Sequence, residues 1–77
     1  MNPGDLVIRK IPKDFEYASY YERQNSIEQR RRNGTGLVLS VHMAGRPPHR
    51  CASVYYAKTN SIYDIAQSLL EVISEAK

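Results

Sequence analysis

Apolar and polar residues alternate along the middle of the chain, and this period of two is typical of a β-strand with one buried face. The alternation begins at Gly36 and predicts that four apolar side chains share one face: Leu37, Leu39, Val41 and Met43. Residues 45–48 contain one glycine and two prolines and interrupt the pattern, which resumes over residues 51–58. The two runs and the break between them predict a β-hairpin.

The pattern at the start of the chain predicts a further strand, followed by a long loop. A turn over residues 2–5 leads into Leu-Val-Ile, so we predict a strand over residues 6–10 that ends before Pro12. Neither the helix period nor the strand period fits the next segment over its whole length. Residues 11–35 are therefore predicted to form a long ordered loop inserted in the domain. A capping-box spacing followed by an Asn-Gly stop signal allows a short helix over residues 26–32.

The C-terminal segment fits two different structures. Its apolar residues recur at helical spacing: Ile62, Ile65, Ala66, Leu69, Leu70 and Ile73. Behind a capping box that begins at Ser61, they would form a helix over residues 62–75. That helix would give an α+β fold, a three-stranded antiparallel sheet with a C-terminal helix. The same residues also fit a strand, a tight turn at Gln67-Ser68 and a second strand over residues 70–73, which would give a mainly β fold.

Short motifs at both ends and in the middle of the chain bear on this choice. They are Pro-Gly-Asp-Leu-Val at 3–7, Gly-Thr-Gly-Leu-Val-Leu at 34–39, Val-Tyr-Tyr at 54–56 and Leu-Leu-Glu-Val-Ile at 69–73. Together they resemble small SH3-like (KOW-like) β-barrel proteins encoded by tailed phages, including phages of cyanobacteria. The resemblance implies a mainly β fold, a small SH3-like barrel of about five strands with a long first loop. In such barrels a one-turn helix leads to the last strand, which pairs with the first. Because closure removes exposed sheet edges, we favour the barrel.

Length and composition narrow the class of protein. The 77 residues form one domain, residues 1–77, because so short a chain cannot enclose two separate apolar cores. The single cysteine excludes an internal disulfide and indicates a reducing compartment. The sequence has no signal-peptide pattern and no segment that could cross a bilayer, so we expect no membrane partner and a cytoplasmic location. For a phage-encoded protein this means the host cytoplasm or the virion. A homo-oligomer would add buried apolar surface to so small a domain.

The net charge of +3 conceals a strongly basic segment, since residues 29–58 hold six basic residues and no acidic one. Arginine and lysine neutralise phosphates, and tyrosine rings stack on unpaired bases. The predicted contact residues for nucleic acid or another partner are Arg30, Arg31, Arg32, Arg46, Arg50, Lys58, Tyr20, Tyr21 and Tyr55. They indicate a non-enzymatic binding module for an anionic partner, either nucleic acid or a nucleoprotein complex. The competing interpretation is that the arginines are solvated loop residues and the tyrosines cap the core.

Other functions find less support in the sequence. His42, His49 and Cys51 are the soft metal ligands of the chain, and structural zinc normally needs four ligands. The hairpin would place His42 opposite Cys51, but no third group has a spacing that would orient a catalytic base. We therefore predict no enzyme, no metal and no cofactor. The alternative function is a protein–protein interaction, as a phage virion component or a factor that binds a host enzyme. It would use residues 15–21 and the two prolines at 47–48.

Overall fold

The computed structural model describes residues 1–11 and 20–76, and within them five antiparallel strands form one sheet. The elements are β1 (Leu6–Arg9), α1 (Tyr20–Asn33), β2 (Gly36–Ala44), β3 (His49–Tyr56), β4 (Ser61–Ala66), a 3₁₀ turn (Gln67–Leu69) and β5 (Leu70–Ser74). The strand order is β4-β3-β2-β1-β5, so the first strand lies between the second and the last. The predicted mainly β fold of about five strands is confirmed.

The sheet is curled, because its two edge strands follow each other in the chain. Only the 3₁₀ turn separates the end of β4 at Ala66 from the start of β5 at Leu70, and that length of chain spans at most about 14 Å. In a flat sheet the outer two of five strands would lie about 19 Å apart. The turn is also fixed at both sides: Gln67 Nε2 donates to the Cys51 carbonyl oxygen at 3.1 Å, and the Lys10 amide donates to the Leu69 carbonyl oxygen at 2.8 Å.

The C-terminal segment forms two strands, and the alternative of a helix over residues 62–75 is wrong. β4 pairs with β3 and β5 pairs with β1, where Val7 lies opposite Val72. The apolar residues that suggested one helical stripe are divided between the strands: Leu70 is buried, whereas Ile62 remains 61% exposed. β4 supplies backbone hydrogen bonds to β3, and β5 supplies them to β1. This gain from tertiary pairing outweighs the local helical pattern.

The region predicted as a long loop contains a longer helix than expected. α1 spans Tyr20–Asn33 rather than residues 26–32, and residues 12–19 of the predicted loop lie outside the described residues. The helix carries almost no apolar stripe, and this is why hydrophobic periodicity did not reveal it. The predicted Asn-Gly stop is present: Gly34 has a φ of 66°, and its amide donates to the Arg30 carbonyl oxygen at 2.9 Å.

A β-bulge in β2 overturns the predicted sharing of one face by Leu37, Leu39, Val41 and Met43. The register of β2 against β3 shifts between Val38 and Ser40, so that Leu37 lies opposite Tyr55 but Val41 lies opposite Ala52. Residues 52 and 55 of β3 point to opposite faces of the sheet, and so do their partners. We call the face that carries Ala52 the inner face and the face that carries Tyr55 the outer face.

The core lies on the inner face and is small. Its buried members are Val7, Val38, Ala52, Val54, Tyr56 and Leu70. Met1 and Ile65 pack against this cluster from its margins. The predicted alternation along β3 is confirmed, because every second residue from Ala52 to Tyr56 is buried. Helix α1 contacts β1.

A buried carboxylate ties the start of the chain to its end. Asp5 is 3% exposed, and it accepts hydrogen bonds from the Ala76 amide at 2.7 Å and from the Asn2 amide at 2.8 Å. These bonds hold the pKa of Asp5 below its usual 3.8, although burial opposes the shift. The carboxylate therefore fastens β5 beside β1.

We expect Asp5→Asn to lower the melting temperature at neutral pH, and to lower it by less in acid. A carboxyl group whose pKa is lowered by folding contributes stability above its unfolded pKa, about 3.9, and loses it as the pH falls through the folded value. Thermal melts followed by circular dichroism between about pH 7 and pH 2 measure this. The gap between wild type and variant should narrow with acid; a gap that stays constant would contradict the assigned role.

Candidate nucleic-acid interface

The basic residues singled out in the sequence fall at two opposite ends of the β2–β3 hairpin. The end of α1 and Lys58, in the turn after β3, lie where β2 begins. Arg46 and Arg50 lie at the hairpin tip, which comprises residues 45–50. The nine residues of β2 separate these ends by about 26 Å. The six cations therefore do not converge on one surface.

The cluster at the helix end, which we call the basic corner, consists of Arg30, Arg31, Arg32 and Lys58. Lys58 Nζ donates a hydrogen bond to the Arg31 carbonyl oxygen at 2.7 Å and so brings the β3–β4 turn against the last turn of α1. The negative end of the helix dipole favours cations at this place. Arg32 contacts Glu28 at 3.1 Å, with both side chains about 60% exposed, so the pair is weak and leaves the arginine available.

The tyrosines singled out in the sequence do not gather at the basic corner as a group. Tyr21 is 82% exposed but lies in the first turn of α1, about 18 Å along the helix from Asn33. Tyr55 lies on the outer face at the end of β3 nearest the corner, and its hydroxyl donates to Asn60 Oδ1 at 3.0 Å. The side chain of Tyr20 is outside the described part. Tyr55 alone of the described tyrosines in that prediction lies near the corner.

A polar cleft of about 250 Å³ separates α1 from the inner face of the sheet. It is lined by Arg9, Asn25, Gln29, Asn33, Tyr56, Tyr63, Asp64 and Ile65. The three amide residues of α1 are spaced by four positions and so share one helix face. The two tyrosine rings have centroids 6.1 Å apart and planes inclined by 52°. The cleft therefore combines aromatic surface with amide and guanidinium groups.

Two polar atoms in this cleft wall are buried without a hydrogen-bond partner in the described structure. They are Arg9 Nε, a donor, and Asn33 Oδ1, an acceptor. Asn33 is 7% exposed and uses its Nδ2 to donate to Gln29 Oε1 at 3.2 Å. Burial raises the pKa of the neighbouring Tyr56 phenol, and the positive charge of Arg9 partly opposes that rise. An unpaired buried polar atom costs about 1–3 kcal/mol, so each would gain from a partner.

Sequence reasoning missed the residues of this cleft. The four-residue spacing of Asn25, Gln29 and Asn33 becomes informative only once residues 20–33 are recognised as helix. Arg9 lies two residues after Val7 and therefore on the same face of the strand. A basic residue on the buried face of a strand is unusual, and the sequence does contain this signal.

The hairpin tip is exposed and has a second, shallower groove beside it. The tip contains a cis peptide bond between Arg46 and Pro47. Arg50 borders a groove of about 290 Å³ together with Met1, Val41 and Met43. Its wall has fewer polar groups than the cleft under α1, and the basic corner lies at the other end of the strands.

His42 lies opposite Cys51, as the hairpin prediction required, and Cys51 is buried. Across residues 1–11 and 20–76, the histidine, cysteine, aspartate and glutamate side chains form no group of three that could hold a metal ion. The prediction that the protein has no catalytic centre and no cofactor remains a prediction.

The outer face exposes an apolar row that crosses four strands. The residues in register are Ile62, Tyr55, Leu37 and Leu6. Leu6 and Leu37 are 38% and 37% exposed. This row lies on the side of the sheet opposite the polar cleft.

Comparison of the chain with protein families, curated proteins and solved structures finds no match. The likeness to SH3-like barrel proteins of phages therefore stays a prediction from the sequence motifs. Among the described residues, no helix has the length and the apolar character needed to cross a membrane.

Proposed function

We propose that this protein is a non-enzymatic binding module for single-stranded nucleic acid, free or within a nucleoprotein complex, and that the basic corner is its main contact. The observation that carries the proposal is the hydrogen bond from Lys58 to the end of α1. It gathers a lysine and three arginines from distant parts of the chain at one corner. No charged residue of the corner except Arg32 has an acidic partner among the described residues.

Charge at this corner suits a phosphate backbone. Arginine and lysine each displace a condensed counterion when they contact a phosphate, which makes the binding free energy depend on salt. Arg31 and Arg32 are exposed, and Arg30 is half-buried at the edge of the helix. Binding of this kind requires no cofactor and no reaction. It would operate in the cytoplasm of the producing cell, or in a virion if the gene belongs to a phage.

Fluorescence anisotropy with a labelled oligothymidylate tests the proposal. We expect binding at low salt, and a plot of log affinity against log salt with a slope of about −2 if three phosphates are contacted. A duplex of the same length should bind more weakly at equal salt, because its bases are not available for stacking. Undetectable binding of both oligonucleotides at about 25 mM salt would overturn the proposal.

A protein partner is the second candidate function, and the exposed apolar row on the outer face is the observation that favours it. An uncovered row of this kind is more typical of an interface than of an isolated surface. Pro47 and Pro48, also predicted for a protein contact, lie at the other end of the β2–β3 hairpin from this row. Purification from the native host should then yield a stoichiometric protein complex that survives nuclease treatment, whereas a complex that nuclease dissolves would exclude this candidate in favour of nucleic acid.

A further inference from the structure

We propose that the cleft between α1 and the sheet receives one base of the bound strand. This inference rests on the proposed function and assigns it a second site. The cleft wall holds two buried polar atoms without a partner in the described structure, it contains aromatic surface, and it lies directly beside the basic corner. These three observations are independent of one another and point to the same kind of ligand.

The unpaired atoms define the hydrogen bonds that the ligand must make. Arg9 Nε needs an acceptor and Asn33 Oδ1 needs a donor. The amide of Asn33 has one partner, Gln29, so one of its two polar atoms remains unsatisfied whichever way the amide is turned. A nucleobase edge carries donors and acceptors side by side, whereas a bare phosphate carries acceptors and would leave the asparagine oxygen unpaired.

The charge of the cleft suits a guest that offers a hydrogen-bond acceptor. Arg9 has no carboxylate partner among the described residues, because Asp64, the acidic residue in the wall, accepts a hydrogen bond from Ser53 instead. A base carbonyl oxygen could accept from Arg9. A charged donor such as the Arg9 guanidinium forms a stronger hydrogen bond with such an oxygen than a neutral donor does.

Tyr63 provides the surface on which a base would stack. Its side chain is 47% exposed and lies on the inner face, opposite Val54 in the register of β4. The buried ring of Tyr56 packs against Tyr63 and holds it in place. Stacking of a base on tyrosine is tolerant of sequence, so the site would accept different bases with modest preference.

The position of the cleft connects it to the phosphates. Asn33 follows Arg32 directly in the chain, and Arg30 precedes Asn33 by three residues on the same side of α1. Gly34, the next residue, lies beside Lys58, so that the end of the cleft and the basic corner share the last turn of the helix. A nucleic-acid strand whose phosphates contact the basic corner can therefore place one base in the cleft while it keeps those contacts.

The test compares oligothymidylate with an abasic oligonucleotide of equal length and charge, each binding to wild type, Tyr63→Ala and Tyr55→Ala. Tyr55, a predicted contact residue near the basic corner, is the competing stacking residue, and it lies on the outer face of the sheet. We expect wild type to prefer the thymidylate by roughly tenfold. Tyr63→Ala should lose that preference and Tyr55→Ala should keep it, with folding of both checked by circular dichroism.

Each outcome separates the two proposals. Equal binding of thymidylate and abasic strands by wild type, with a steep salt dependence, would overturn the base site and leave the binding function standing. No binding of either strand would overturn the function itself. Loss of the preference in Tyr55→Ala alone would assign the base to the outer face and contradict the cleft. We expect that millimolar thymidine monophosphate displaces neither strand. If the monophosphate binds wild type as tightly as the oligonucleotide does, the cleft is a site for free nucleotides instead.

Discussion

Reversing two charges at the basic corner is expected to weaken binding of single-stranded nucleic acid by roughly a hundredfold or more at low salt. The variant carries Arg31→Glu and Lys58→Glu. It replaces two attractions to phosphate with repulsions and removes the hydrogen bond that holds the β3–β4 turn against α1. The plot of log affinity against log salt should become shallower by the amount that two phosphate contacts contribute to its slope. Anisotropy titrations across salt concentrations measure both quantities.

The hairpin tip offers a matched control for this experiment. Arg46→Glu with Arg50→Glu changes the net charge by the same amount, but it acts about 26 Å from the basic corner. At moderate salt this distance exceeds the Debye length, so the affinity should fall only slightly. Equal losses from both pairs would show that binding follows net charge and not a site. Circular dichroism establishes that each variant retains its fold, since Arg31→Glu in the last turn of α1 costs about 0.3–1 kcal/mol.

Gly36→Ala is expected to be the most destabilising conservative substitution in the chain. Gly36 is buried at the start of β2 and lies opposite Val7 in β1 and Tyr56 in β3. A methyl group there would meet a methyl of Val54 and would approach Tyr56 Cε1 to 2.8 Å. We expect a loss of about 1–3 kcal/mol, because overpacking of a rigid core forces side chains from their rotamers. A domain of this size has only about 4–12 kcal/mol of stability.

Urea denaturation followed by circular dichroism measures the effect of Gly36→Ala. Thr35→Ala is the control, since Thr35 is adjacent and exposed and its replacement should change stability by less than about 0.5 kcal/mol. Because the added methyl also displaces Tyr56, the variant should bind oligothymidylate less selectively even where it remains folded. Unchanged stability would show that β2 and β3 are not packed as described.

The pairing of β5 with β1 could be predicted because the motifs at the two ends of the chain resemble those of small barrels in which the last strand pairs with the first. Turn residues before β1 and β-branched residues within it mark the first strand, and pairing of residues 70–73 with it completes the backbone hydrogen bonds of both. The bulge in β2 was missed although the alternation is interrupted there, since three consecutive apolar residues, 37–39, do not show which of them is the extra one. It was enough to place Leu37 and Val41 on opposite faces.

The hydrophobic pattern could not predict α1 at its full length or the cleft beside it. α1 carries local polar pairs along its surface, such as Glu28 with Arg32 and Gln29 with Asn33, and such pairs leave no apolar period to detect. The separation of the basic residues, in contrast, follows from the hairpin alone. A turn over residues 45–48 must lie at the opposite end of the strands from Lys58.

A titration of uniformly ¹⁵N-labelled protein with oligothymidylate, followed by two-dimensional amide spectra, shows whether the strand binds at the basic corner and the cleft. We expect the largest shift changes at residues 30–34, Lys58 and Tyr63, where the basic corner meets the cleft, and small changes at residues 45–50. Largest changes at the hairpin tip or on the outer face, or no changes at saturating oligonucleotide, would contradict the account.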